Sequence, residues 1–185
     1  MDNLRGFEPY GSDYQPDVPG YAVFDDEDAA IEAPPVVSTD ERRMQVRAYN
    51  FWTAQLNDKN YPSIEELDPS SVEDFRDYSV LLDFTSGIEN PSIEYLGEKL
   101  RSECGLSDDV SYLDQVPSRS LLSRITDHYL QIIANRAPIG FEAEFINDRG
   151  VNIMYRGILL PYSSDDDTID FIYGVINWKE AVAVE

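Results

Sequence analysis

The sequence predicts an α+β fold in which an antiparallel sheet of about five strands carries a long helix and short helices on one face, together with an N-terminal helix. Apolar residues recur every three or four positions after Ser118 and every second position after Pro138. Two longer apolar runs begin near Val151 and Ile169. Because side chains repeat at about 3.6 residues in helices and at two in strands, this order indicates a helix laid on an antiparallel meander.

Length and charge limit the class of protein. The chain has 185 residues, of which 42% are hydrophobic, enough for one domain with its own core and some unstructured flank. Its 36 acidic and 14 basic residues give a net charge of -22. Nucleic-acid phosphates and anionic membranes repel such a chain, so we expect neither nucleic acid nor a membrane as a partner. A protein partner with a basic face fits better.

Cysteine usage and hydropathy predict the compartment. Cys104 is the only cysteine, which excludes an intrachain disulfide and a thiolate metal cluster. No uninterrupted apolar run approaches the roughly 20 residues of a membrane span, and the N-terminus lacks a secretory signal pattern. These features predict a soluble protein of the reducing cytoplasm.

The first 37 residues form an acidic tail, followed by a helix and connector over residues 38–78. The tail lacks helical and strand periodicity and is expected to be disordered. Aromatic residues are nevertheless spaced through it, which suits a segment that docks on this domain or on a partner; an inert solubilising tail is equally compatible. The aromatic residues are Phe7, Tyr10, Tyr14, Tyr21 and Phe24.

A helix is predicted from Ser38 to about position 56, because Ser38 and Glu41 form a capping box. Its apolar residues include Tyr49, Phe51 and Trp52, which need a surface to cover them. We expect this helix either to pack on the sheet or to form a homodimer or partner interface through these three residues.

Residues 79–180 are predicted to form the core of the domain, and residues 181–185 a short C-terminal tail. The predicted elements are strands at 79–84 and 92–96, a short helix at 97–104, a long helix at 118–137, and strands at 139–145, 151–162 and 169–178. The last two strands carry apolar residues on both parities, so both faces of the sheet are covered. One face takes the long helix, and the other takes the N-terminal helix or a second copy of the chain.

A pocket between the long helix and the sheet is the predicted binding site. Aromatic residues, a methionine and one or two hydroxyls suit a small apolar or amphipathic ligand, although a filled core has the same composition. The assignment of strand residues to this face depends on the register. The candidate lining residues are Leu122, Ile125, Tyr129, Phe141, Met154 and Tyr173. The sequence identifies no cofactor.

Three motifs in this element order resemble the stand-alone PAS-domain family of alphaproteobacteria. They are Pro117-Ser118-Arg119-Ser120-Leu121 at the start of the long helix, Arg156-Gly157-Ile158-Leu159-Leu160-Pro161 in the middle strand of the meander, and Gly174 in the last strand. The resemblance spans roughly residues 48–179 and implies a PAS-like fold. It also implies a regulator without a fused output enzyme, which acts in trans on a signalling or polarity protein in bacterial signalling or cell-cycle control.

The end of the last strand departs from many PAS domains. Where those domains carry an Asp-Ile-Thr type motif that passes signals to a following coiled coil, this chain has Asn177, Trp178 and Lys179. The sequence then stops at Glu185. We therefore expect signals to leave the domain by a route other than a C-terminal helix.

No catalytic constellation stands out in the sequence. His128, the only histidine, could act with Asp127 or Glu142 as acid and base, but a lone histidine beside an apolar stripe is more often structural. We interpret Cys104 as a packing residue, since the flavin-reactive cysteine motif of light-sensing relatives is missing. The run Asp165–Asp167 lacks the alternating ligand spacing of a calcium loop. The sequence predicts no metal site and no enzyme.

The leading interpretation is a non-catalytic PAS module that acts as a sensor or adaptor. Three alternatives stay open: a ligand sensor with its pocket under the long helix, an enzyme that uses His128, and an acidic interaction protein that works through residues 1–37. Neither the ligand nor the partner follows from the residues.

Overall fold

The computed structural model describes residues 43–181 and, nearer the N-terminus, the backbone of two short strands. The strands and helices are β1 (Ala22–Val23), β2 (Ala29–Ala30), α1 (Met44–Ala54), β3 (Ser79–Asp83), β4 (Ser92–Leu96), α2 (Glu98–Glu103), α3 (Leu121–Thr126), α4 (Tyr129–Asn135), β5 (Ile139–Ile146), β6 (Asn152–Tyr162) and β7 (Phe171–Glu180). Short 3-10 helices lie at Ile64–Glu66, Pro69–Ser71, Arg76–Tyr78 and Leu113–Gln115. The side chain of Ile125 lies outside the described part.

Five of the strands form an antiparallel sheet in the order β5-β6-β7-β3-β4. The central strands β6 and β7 pair without interruption from Ile153 opposite Glu180 to Tyr162 opposite Phe171. On the free side of β5, β1 pairs in parallel and β2 in antiparallel. The predicted α+β class with an antiparallel sheet of about five strands is confirmed.

The helices between β4 and β5 cover one face of the sheet, called here the helix face. Their apolar residues meet alternate residues of the strands, as the period of two predicts. Fully or almost fully buried members of this core are Leu100, Leu121, Leu122, Ile132, Phe141, Ile153, Leu159, Ile172 and Ile176. Burial of each such side chain stabilises the fold by about 1.5–3 kcal/mol before entropy is counted.

The opposite face, called here the outer face, is covered in part by α1. Trp52 is 2% exposed, and its Nε1 donates a hydrogen bond to the Pro161 carbonyl at 2.7 Å. Tyr49 stacks near Trp52, with ring centroids 6.1 Å apart. Ile158 and Tyr173 of the central strands are fully buried beneath this layer. Of the two roles predicted for the N-terminal helix, the structure shows packing on the sheet.

The predicted long helix is not continuous, because α3 ends at Thr126 and α4 begins at Tyr129. His128 has φ -104° and ψ 9°, outside the helical region. Just before the break, the Thr126 hydroxyl donates to the Leu122 carbonyl at 2.7 Å. Hydrogen bonds of this kind, from a serine or threonine side chain to the carbonyl four residues earlier, often bend helices. The apolar stripe in the sequence, which predicts a single helix, does not reveal such a bend.

The N-terminal segment differs from the prediction in two described places. β1 and β2 fall within the tail that the sequence predicts to be disordered; the rest of that tail lies outside the described residues, so its disorder stays a prediction. Helix α1 begins at Met44, later than predicted, with Arg43 as its N-cap and no side-chain capping bond. Ser38 and Glu41, the predicted capping box, also lie outside the described residues.

Both edges of the sheet are partly covered. At β4, Ser92 bridges to Tyr112, and the Ile93 N–H donates to the Ser111 carbonyl at 2.8 Å. At β5, the two short N-terminal strands occupy part of the edge. Covered edges limit strand pairing with other chains. Within the described part of the chain, no helix is both long and apolar enough to cross a membrane.

Candidate functional site

The five predicted pocket residues whose side chains the structure describes do not line one groove together. Leu122 is fully buried and Phe141 is 4% exposed, both within the core of the helix face. Tyr129 lies half-buried at the rim, where its hydroxyl donates to the Ile88 carbonyl at 2.8 Å and its ring lies 5.1 Å from that of Phe84. Burial raises the pKa of Tyr129 above its usual value.

Met154 and Tyr173 lie on the outer face, which corrects the prediction that both face the long helix. Met154 is 38% exposed, whereas Tyr173 is buried beneath α1. Both strands carry apolar residues on both parities, so the sequence pattern leaves the choice of face open and a shift of one residue reverses it. Burial also raises the pKa of Tyr173.

A groove of about 500 Å³ opens on the outer face beside the part that α1 covers. It is lined by residues of β5, β6 and β7, most of which are on the outer-facing parity of their strands. The lining residues are Glu142, Ala143, Glu144, Met154, Tyr155, Arg156, Asn177, Trp178 and Lys179. Met154 is the one member of the predicted pocket set that lines this groove. We refer to it as the outer groove.

Charges of both signs border the outer groove. Arg156 donates two hydrogen bonds to Glu142 Oε2, at 2.9 Å from Nε and 2.6 Å from Nη2. Their side chains are about one-third exposed, so the pair contributes about 0.2–1 kcal/mol. Glu144 accepts a hydrogen bond from the Asn152 amide at 3.2 Å. The outer groove therefore combines the apolar side chain of Met154 with charged and polar side chains around it.

Trp178 separates the outer groove from a second groove of about 380 Å³. In this second groove the rings of Tyr78 and Trp178 meet edge to face, with centroids 5.4 Å apart. Lys99 Nζ donates to the Tyr78 hydroxyl at 2.9 Å and lies 4.9 Å from the ring centroid. This bond raises the pKa of Lys99. Trp178 thus stands between two surface depressions.

A third groove, of about 320 Å³, lies beside Cys104 between α2, α3 and the turn after β5. Burial raises the pKa of the Cys104 thiol to about 11. The Leu122 N–H donates to its Sγ at 3.3 Å. A thiol with so high a pKa is almost fully protonated near pH 7 and is a poor nucleophile. These contacts favour the packing role that the sequence predicts for Cys104.

Of the two carboxylates considered as partners of His128, Glu142 lies on the opposite face of the sheet. His128 lies half-buried at the break between α3 and α4, on the helix face. Glu142 points to the outer face and pairs with Arg156. Asp127 is exposed beside His128 in the chain. An acid and a base that act on one substrate must reach the same reacting atoms, and Glu142 is on the wrong side of the sheet.

The acidic loop between β6 and β7 is organised by its own main chain. The Asp165 carboxylate accepts hydrogen bonds from the Thr168 N–H at 2.7 Å and the Asp167 N–H at 3.0 Å. These bonds lower the pKa of Asp165 to about 2. Among the described residues there is no group of three or more His, Cys, Asp or Glu side chains that could hold a metal ion.

The predicted interface residues of α1 are mostly internal. Tyr49 is 5% and Trp52 2% exposed, and both pack on the chain's own sheet. Phe51 is half-buried and meets Phe75 edge to face at 6.0 Å. A partner can therefore reach Phe51 more readily than its two neighbours, and the predicted dimer interface stays untested.

The order β5-β6-β7-β3-β4, with the intervening helices on one face, is that of a PAS-like fold. No family model matches the chain, and no protein with a curated description matches it. Among solved structures, the light-state structure of the blue-light photoreceptor Aureochrome1 LOV, a PAS-type domain, is similar over 58% of this chain and 83% of that chain, with 16% identity and a TM-score of 0.40.

Proposed function

We propose that the protein is a non-catalytic PAS-like regulatory module that acts in trans on partner proteins. The observation that supports this most directly is the contrast between the two faces of the sheet. On the helix face, side chains such as Leu122 and Phe141 are buried in the core, whereas the outer groove is open at the surface. Open grooves with an apolar floor and a polar rim suit recognition of another protein.

The family proposed for this module is the stand-alone PAS-domain family of alphaproteobacteria, with a role in bacterial signalling or cell-cycle control. The support is the set of three motifs in the sequence. Two of their residues also have clear structural roles: Ser120 caps α3 by accepting the Ser123 N–H, and a Cβ at Gly157 would come within 3.0 Å of the Phe141 ring. Folding requirements thus account for part of the motif pattern.

The proposed partner is a signalling or polarity protein that presents a basic segment, because the chain carries a net charge of -22. The proposed assembly is a homodimer in the cytoplasm. Since Tyr49 and Trp52 are buried within one chain, a second copy would contact α1 through Phe51 or use the uncovered part of the outer face.

A ligand sensor is the second candidate function. The outer groove, at about 500 Å³, falls within the range of roughly 300–1,000 Å³ that small-molecule sites occupy. This location differs from the predicted pocket beneath the long helix. A small molecule bound in this groove would contact Met154 and the edge of Trp178 rather than the buried core.

Native mass spectrometry on the full chain, purified gently from cells of its own kind, tests the proposal. An adaptor is expected to give the mass of one or two subunits without a reproducible additional small molecule. A constant excess mass per subunit would instead support the ligand sensor. Crosslinking in the same cells then tests action in trans: if the chain contacts no other protein, the adaptor function is wrong.

A further inference from the structure

The free side of β5 presents the main-chain groups of alternate residues. The Asn147 N–H donates to the Val151 carbonyl at 3.0 Å, and the Ala181 N–H donates to the Asn152 carbonyl at 2.8 Å. Because the registers of β5, β6 and β7 are unbroken, these bonds show that the N–H and C=O groups of the odd-numbered residues of β5 point towards β6. The N–H and C=O groups of the even-numbered residues therefore point outwards from the sheet.

The chain's own strands pair with only part of this side. β2 ends its pairing at Ala29 opposite Ala143, and no described residue pairs with β5 beyond that point on its free side. The outward main-chain groups of Glu144 and Ile146 are therefore open to an added strand within the described part of the protein. An edge of this kind is a template for strand addition.

The side chains beside the unpaired end of β5 determine which added strand would bind there. Ile146 is 65% exposed and Met154 is 38% exposed, which is unusual for large apolar side chains of a sheet. Glu144 is exposed; it lies opposite Met154 and two residues before Ile146 in β5. Its described partner is the neutral Asn152 amide, whereas Glu142 already has Arg156. The surface thus combines apolar contact area with a carboxylate that has no basic partner among the described residues.

The register of β2 shows which charges would meet if its pairing with β5 were longer than the described part. Ala29 lies opposite Ala143, so the next pair in an antiparallel ladder would set Asp28 against Glu144. Directly opposed like charges destabilise a strand pair. A symmetrical second copy centred on Ala143 meets the same difficulty, because Glu142 of each copy would oppose Glu144 of the other. A basic residue opposite Glu144 removes the conflict.

We infer that β5 from Glu144 to Ile146 is a strand-addition site for an extended segment of a partner protein, with a basic residue opposite Glu144 and apolar residues near Ile146 and Met154. The inference rests on the proposed adaptor function and adds the chemistry of the partner. Because β1 and β2 are only two residues long each, an incoming strand can extend along β5 in their place.

The test uses the full chain and an eight-residue peptide in which a central lysine has a valine two residues away on each side, at physiological salt, so that the lysine and both valines share one face of the added strand. Binding is followed by NMR shifts and by slower hydrogen exchange of the Glu144 and Ile146 amides. The peptide is expected to protect these two amides. A peptide of equal charge with two valines replaced by proline is expected to lose the protection, because proline cannot complete a strand ladder.

The variant Glu144→Lys is expected to bind the peptide about tenfold more weakly, because an attractive pair becomes a repulsive one. Glu94→Lys is the matched control, since Glu94 is also an exposed strand glutamate that accepts one neutral side-chain hydrogen bond, at the other edge of the sheet. Equal binding by both variants, or no protection at β5, overturns the inference. A crosslinked partner that contacts another surface overturns it too, but leaves the adaptor function standing.

Discussion

At the scale of single residues, Trp52 is the side chain that fixes α1 to the sheet. Replacement by phenylalanine keeps an aromatic ring but removes the donor to the buried Pro161 carbonyl. An unpaired buried polar group costs about 1–3 kcal/mol, so we expect Trp52→Phe to lower the free energy of unfolding by that amount. Urea denaturation followed by circular dichroism measures the change.

Trp178, the other tryptophan of the chain, provides the control for this substitution. It is half-buried at the surface grooves, and Trp178→Phe keeps an aromatic ring beside Tyr78. We expect a smaller loss of stability than at position 52. Equal losses from both variants would show that the hydrogen bond to Pro161 is not what distinguishes Trp52.

Cys104 gives a prediction about reactivity. Its pKa rises from 9.0 to about 11 on folding, which lowers the thiolate fraction at pH 8 about 100-fold. Native protein should therefore react with iodoacetamide about two orders of magnitude more slowly than protein in urea, as measured by mass. Because the folded pKa is raised, the associated stability is complete below pH 9 and falls as the pH rises through 11.

Glutathione, measured at each urea concentration, controls for the effect of urea on the reagent. A native rate close to that of the unfolded chain would show that the thiol is open to solvent. The same outcome would remove the packing role that both the sequence and the structure give to Cys104.

At the scale of elements, the strands were more predictable than the helices. β4 lies at Ser92–Leu96, as predicted, because Pro91 and Gly97 delimit it in the sequence. The sequence predicts the long helix as one piece, since an apolar stripe continues across the break at His128. The Thr126 hydroxyl, which donates to the Leu122 carbonyl just before the break, favours a bend there, and hydrophobic periodicity contains no information about such a bond.

The candidate site was predictable only on the helix face. Leu122 and Phe141 follow a clear stripe and a clear alternation, and both lie in the predicted layer. Met154 and Tyr173 belong to strands with apolar residues on both parities, so periodicity alone could not assign their faces. In the sequence, the alternation of Glu142 and Glu144 with apolar residues indicates that one face of β5 is partly solvated.

A substitution in β2 tests the pairing of that element. Asp28→Lys would place a basic side chain opposite Glu144 if the ladder continued by one pair. We expect the variant to extend β2 and to slow hydrogen exchange of the Glu144 amide by about two- to fivefold. Mass spectrometry or NMR of the full chain can follow this amide.

Glu27→Lys is the matched control, because it makes the same change of charge at the neighbouring position. In the continued register it would oppose Phe145 and face the other side of the sheet. Equal slowing in both variants would show a general effect of charge. In that case like-charge repulsion would not be the reason that β2 ends where it does.

At the scale of the whole molecule, the net charge of -22 opposes compaction. Raising the salt concentration from 0.01 to 0.2 M shortens the screening length from about 30 Å to below 10 Å. We expect the melting temperature to rise by a few degrees over this range in calorimetry. Tetramethylammonium chloride at equal ionic strength should act like sodium chloride; an effect of sodium alone would indicate specific ion binding instead of screening.

The central strand β6 belongs to both layers of the protein at once. Ile158 and Leu159 are adjacent in the chain and fully buried, yet the first packs beneath α1 and the second beneath the helices of the opposite face. The two cores are therefore joined along β6 by a single peptide unit. We expect a partner that displaces α1 on the outer face to disturb the packing of Leu159 on the far side as well.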